Sequence, residues 1–119
     1  MTPTQRSISG TIEFHDVRQP ARDVTVHVRV EEASRADAPA AVVAQLSLRG
    51  VEVAAAAPPL RFELHDIQTV PSGRYVIRAH ADVDGNDRIT RGDYISTQSY
   101  PVLTGTAADV VKIVLHEVR

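Results

Sequence analysis

The chain has 119 residues, 43% hydrophobic and 24% charged, with 13 basic and 15 acidic side chains giving a formal charge of -2. That length suits a single domain over residues 1–119 with a core of its own, and the near-neutral balance supplies no field that would gather a polyanion such as nucleic acid. With no Cys and no Trp, disulfides, thiolate metal sites, cysteine nucleophiles and indole stacking platforms are excluded, and the core must be mostly Val, Ile, Leu and Ala.

The opening MTPTQRSISG has neither an apolar core segment nor a small-residue cleavage site. As written, the chain therefore reads as cytoplasmic, or as periplasmic or cell-envelope if a leader has been removed, with residues 1–6 expected to form a disordered tail. No apolar run approaches the roughly 18 residues that a spanning helix needs.

Taken in order, the first expected strand carries Ile8, Ile12 and Phe14, interrupted by Gly10. The second, Asp23 to Val30 (DVTVHVRV), alternates strictly: Val24, Val26, Val28 and Val30 on one face, Thr25, His27 and Arg29 on the other. Pro39 argues against a helix across Ala33 to Ala41 and leaves room for a short 3₁₀ turn. A third strand sets Val42, Ala44, Leu46 and Leu48 against Val43, Gln45, Ser47 and Arg49.

The fourth strand, Leu60, Phe62 and Leu64, follows Pro58-Pro59, and the fifth, Tyr75, Ile77, Ala79 and Ala81, follows the turn signal Pro71-Ser72-Gly73. A weaker sixth runs from Tyr94 to Tyr100 and stops at Pro101. The seventh places Val111, Ile113 and Leu115 opposite Lys112 and His116. These elements predict an all-β fold, a seven-stranded antiparallel β-sandwich of prealbumin or immunoglobulin type with no long helix.

One stretch invites chemistry. In ADVDGNDRITRGDY, Asp82, Asp84, Asn86, the Arg88 carbonyl and Asp93 fall at positions 1, 3, 5, 7 and 12 of a calcium-binding loop, with Ile89 at the apolar position 8 and Thr90 at position 9. Position 6, normally Gly, is Asp87, which must then adopt φ > 0. The expected flanks are strands, so an ion here would clip a hairpin. The competing expectation is a plain hairpin loop in which Asp, Asn and Gly supply the turns and Arg88 and Arg91 partly neutralise the carboxylates.

The five histidines, His15, His27, His65, His80 and His116, contain no pair at i, i+2 or i, i+4. Strand parity turns His27, His80 and His116 away from the core, so a His-based metal site would have to be assembled across strands. No nucleophile elbow, phosphate-cradling glycine loop or patterned Ser/His/Asp set occurs. The expectation is that the protein is not an enzyme.

The segments ISGTIEF, VRVEEASRADAPAAVVAQ, RFELH, SGRYVIRAHADVDGNDRI and TQSYPVLT, in this order, resemble the YbaY/YscW family, which joins small lipoproteins with the pilotin-like chaperones of type III secretion. The resemblance extends from about Ser7 to Leu115, with Ser34-Arg35-Ala36-Asp37-Ala38-Pro39 and Tyr100-Pro101-Val102-Leu103 as its most telling pieces. It implies a compact β-sandwich with a binding or assembly role toward another protein rather than catalysis. The functional expectations are thus a non-enzymatic binding module with a structural Ca²⁺ in the 82–93 loop or, alternatively, a calcium-binding protein whose ordered loop gates a partner surface.

Overall fold

The strict alternation of the second segment is realised in full: Val24, Val26, Val28 and Val30 are all 0% exposed on one face of β2 (Ala21–Glu32). Around it the computed structural model, which describes residues 4–34, 37–104 and 109–119, places β1 (Thr4–Phe14), β3 (Ala41–Val53), β4 (Leu60–Thr69), β5 (Tyr75–Asp82), β6 (Tyr94–Ser96), β7 (Tyr100–Val102) and β8 (Asp109–Glu117). No helix occurs among the described residues, so none there crosses a membrane as a helix.

The all-β class is as expected, but the sandwich is not. The strands form one eight-stranded sheet in the order β3-β2-β5-β6-β8-β1-β4, with β7 pairing to β5 beside this path. The sheet curls until its end strands, β3 and β4, approach each other, giving a nearly closed barrel. Nor is it wholly antiparallel, because β1 and β8 run parallel from Ile8↔Asp109 to Phe14↔Leu115. Alternation states which face of a strand is buried; it does not state whether that face looks at a second sheet or across the inside of a curled one.

Local irregularities drive the curl. The β1–β4 register shifts between Arg6 and Ile8, opposite Asp66 at φ 58. The buried positions of β4 accordingly switch from Phe62 and Leu64 to Ile67 and Thr69. In β3, Gly50 at φ 66 makes the same change, from the half-buried Leu46 and Leu48 to the buried Val51 and Val53. Each extra residue bends the strand and increases its twist. Val42, expected to face inward, is instead half exposed at the outer end of β3.

The expected sixth strand is two short ones sharing β5: β6 pairs with its end (His80↔Ile95, Ala81↔Tyr94) and β7 with its start (Tyr75↔Val102, Ile77↔Tyr100). Where β7 faces β8 a side chain bridges the gap, the Val114 amide donating to the Tyr100 hydroxyl at 3.0 Å. Thr4, Gln5 and Arg6 pair with Thr69, Gln68 and Ile67 of β4. The expected tail is therefore strand from Thr4 onward, and residues 1–3 lie outside the described part.

The core is a continuous aliphatic cluster that includes Ile8, Ile12, Ile67, Ile77, Ile113 and Leu115. Gly10 lets β1 sit tightly within it: a Cβ there would lie 2.3 Å from the Val111 carbonyl oxygen and 2.9 Å from the Phe62 ring. In the segment between β2 and β3, Asp37 forms a turn and Pro39 precedes the strand, while Arg35 and Ala36 lie outside the described residues.

Candidate functional site

On β5 the inward positions are Tyr75, Ile77, Ala79 and Ala81, so Val76, Arg78, His80 and Asp82 share the outer face. Antiparallel register aligns His80 with His27 of β2, His27 with Ser47 of β3, and His80 with Ile95 of β6. The result is a row across four strands, Ser47, His27, His80 and Ile95. The two imidazole centroids are 6.1 Å apart, and the row floors an outer-face groove of about 520 Å³ whose lip is formed by Asp87 and Ile89.

The loop joining β5 to β6 folds back over this row, which is how Asp82, an outward residue by parity, comes to be only 3% exposed. Asp93 is 0% exposed and closes the loop. Its Oδ1 accepts from the Val83 amide at 2.9 Å, and its Oδ2 from the Thr90 amide at 3.1 Å. The same Oδ2 lies 2.8 Å from His80 Nε2. Main-chain bonds from Gly92 N to the Val118 carbonyl and from Val118 N to the Asp93 carbonyl then tie the loop's end to the chain beyond β8.

The five residues assigned to a calcium loop are thus gathered in one turn. Asp82 Oδ2 accepts from the Asp87 amide at 2.8 Å, while Asp82 Oδ1 is buried and has no hydrogen-bond partner. Asp84 Oδ2 accepts from the Thr90 hydroxyl at 2.7 Å, and this bond holds the Asp84 carboxyl below its ordinary pKa. Asn86 Oδ1 accepts from the Arg88 amide at 3.0 Å. Asp87 sits at φ 60, as its place in the loop requires, with Gly85 at φ 70 just before it.

The arginine part of the plain-turn reading is not realised: among the described residues no ion pair joins Arg88 or Arg91 to a carboxylate. The arginines engaged near the groove, Arg29 and Arg78, both hold Glu31, at 2.8 and 2.9 Å. One atom each from His80, Asp82 and Asp93 lies within 4.8 Å of the others, and the same holds for His27, Asp82 and Asp87.

His80 is the residue that motif reading missed. The available signal was parity, because His80 and Asp82 are two apart on one strand and must share a face. His27 was out of reach, since only the pairing register brings it opposite His80. Ser47, His27 and Asp87 also line up with the composition of a hydrolytic triad, Ser47 Oγ lying 3.0 Å from His27 Nδ1. Asp87, however, is 88% exposed and 3.9 Å from His27 Nε2, so the line lacks the buried, hydrogen-bonded acid that orients a catalytic imidazole.

Residues 3–115 match the model of a family described as type III secretion system lipoprotein chaperone (YscW). Among solved structures the chain is similar to an alternative pilotin from the type II secretion system of Vibrio cholerae, at 28% identity and a TM-score of 0.75 over 98% of this chain and 99% of that one. No curated protein matches the chain at a significant level.

Proposed function

The chain belongs to the family of type III secretion system lipoprotein chaperones (YscW), and from that membership we propose that it is a non-enzymatic binding and assembly module of the cell envelope whose partner is the secretin subunit of a secretion system. The observation that carries this reading is the extent of the likeness: family match and structural neighbour each take in nearly the whole chain. The cell-envelope setting is part of this reading, because the family is described as one of lipoprotein chaperones.

The fold supports a docking mode. β3 ends the sheet, its outer edge carries no hydrogen-bonded strand among the described residues, and Val42 and Val43 are 50% and 38% exposed near its start. An extended client segment adding to this edge would gain main-chain hydrogen bonds and cover both valines. The test is titration of the purified chain with the secretin subunit encoded in the same genome, beside Val43→Asp, and an assay of secretin multimers in a strain lacking the gene. Saturable binding weakened by Val43→Asp, with multimers lost in the deletion strain, is expected. No binding together with normal multimers refutes the assembly role, and binding unaffected by Val43→Asp refutes the edge.

A further inference from the structure

We propose that the Asp82–Asp93 loop is a Ca²⁺ site anchored by Asp82 Oδ1, with His80 as its positioning residue. This goes beyond the assembly role and does not depend on it. The first observation is the anchor itself. Asp82 is 3% exposed, one carboxylate oxygen holds the Asp87 amide, and the other is buried without a partner. An orphaned buried carboxylate oxygen is costly, and among native structures an ion is one of the few explanations for it.

Charge is the second. Asp82 and Asp93 have oxygens within 4.8 Å of each other beside His80, Asp84 stands in the same loop on the Thr90 hydroxyl, and among the described residues neither arginine of the loop forms an ion pair with them. The nearby imidazole, His80, is engaged by Asp93 Oδ2 at 2.8 Å. A divalent cation at Asp82 Oδ1 would supply the positive charge that the loop's own arginines do not.

The donor set then selects the ion. The oxygens of Asp82, Asp84, Asn86, Asp93 and the Arg88 carbonyl form an all-oxygen set of hard ligands, which suits the variable coordination of Ca²⁺ better than the strict octahedron of Mg²⁺. His80 holds Asp93 in place in the way an outer partner orients a ligating carboxylate. Were both imidazoles ligands, the preference would turn to Zn²⁺ or a related transition ion. Filling the site would fix Asp87 and Ile89 at the lip of the groove over His27.

The experiment is calorimetric titration of the chelator-treated full chain with CaCl₂, MgCl₂ and ZnCl₂ separately, with thermal melts at each endpoint. One Ca²⁺ site of sub-millimolar affinity is expected, with a rise of several degrees in Tm from binding to the folded state alone. Asp84→Asn, at an exposed position where an amide oxygen can still accept from the Thr90 hydroxyl, should weaken Ca²⁺ at least tenfold. His80→Gln should weaken it less while the sheet's circular dichroism is unchanged. No heat from a folded sample, millimolar binding indifferent to Asp84→Asn, or Zn²⁺ binding that requires His27 and His80 but not Asp84, each overturns the proposal.

Discussion

Asp93→Ala, measured in metal-free protein, isolates what the buried carboxylate does for the fold. The residue is 0% exposed, and its side chain accepts from the Val83 and Thr90 amides at 2.9 and 3.1 Å and contacts His80 Nε2 at 2.8 Å. Hydrogen bonds to a charged acceptor are worth about 1.5–3 kcal/mol each, and water recovers part of the loss at half-buried donors. A net destabilisation of about 3–5 kcal/mol follows, of the size seen when a buried pair loses one partner. For a domain near this length each kcal/mol moves Tm by about 3–6 °C, so a fall of roughly 10–30 °C is expected.

Asp93→Asn is the sharper variant, because it preserves shape. Its amide nitrogen must replace either Oδ1, where it meets the Val83 N–H, or Oδ2, where it meets the Thr90 N–H; in both placements a donor faces a donor. It should cost at least about 2 kcal/mol. Urea unfolding with chelator present, followed by circular dichroism, measures both. An asparagine variant as stable as the parent, or an alanine variant within about 1 kcal/mol of it, would refute the assignment of Asp93 as the staple of the loop.

Three further perturbations address the sheet. Gly10→Ala places a methyl group 2.3 Å from the Val111 carbonyl and should cost about 1–3 kcal/mol or more, read as a lower urea midpoint at constant m. Tyr100→Phe leaves the Val114 amide without its acceptor where β7 faces β8; a loss of about 1 kcal/mol with faster amide exchange at Val114 is expected. Glu32 has its pKa lowered by hydrogen bonds from Ser34 and from the Arg74 amide. A depressed carboxyl contributes stability above its unfolded pKa and loses it as pH falls through the folded value. Glu32→Gln should therefore flatten the Tm decline below about pH 4.5 and leave the difference between parent and variant constant near neutrality.

How far the sequence could be read follows from what each signal measures. Period-two alternation fixed the inward faces of β2, β5 and β8 because it reports burial residue by residue, and Val24 to Val30 and Ile113 with Leu115 obey it without exception. It failed in β3 and β4 beyond Leu48 and Leu64, where Gly50 and Asp66 insert a residue and reverse the parity. A reader following strict alternation ends both strands too early. The choice between sandwich and curled sheet turned on strand partners, above all the parallel pairing of β1 with β8, which no local pattern encodes.

The site divides along the same line. Residue type and spacing singled out Asp82, Asp84, Asn86, Arg88 and Asp93 as one loop, and the φ > 0 demand on Asp87 is met, because a loop's geometry is set within the loop. What the loop rests on is set by register: a one-residue slip between β2 and β5 would turn His27 inward and remove the imidazole row altogether. The four inward valines of β2 forbid that slip, since it would drive Thr25, His27 and Arg29 into the core in their place. The aliphatic packing of one face therefore positions the polar chemistry of the other, and Asp82 and Asp93 fasten the loop to a row of side chains that hydrophobic burial has already fixed.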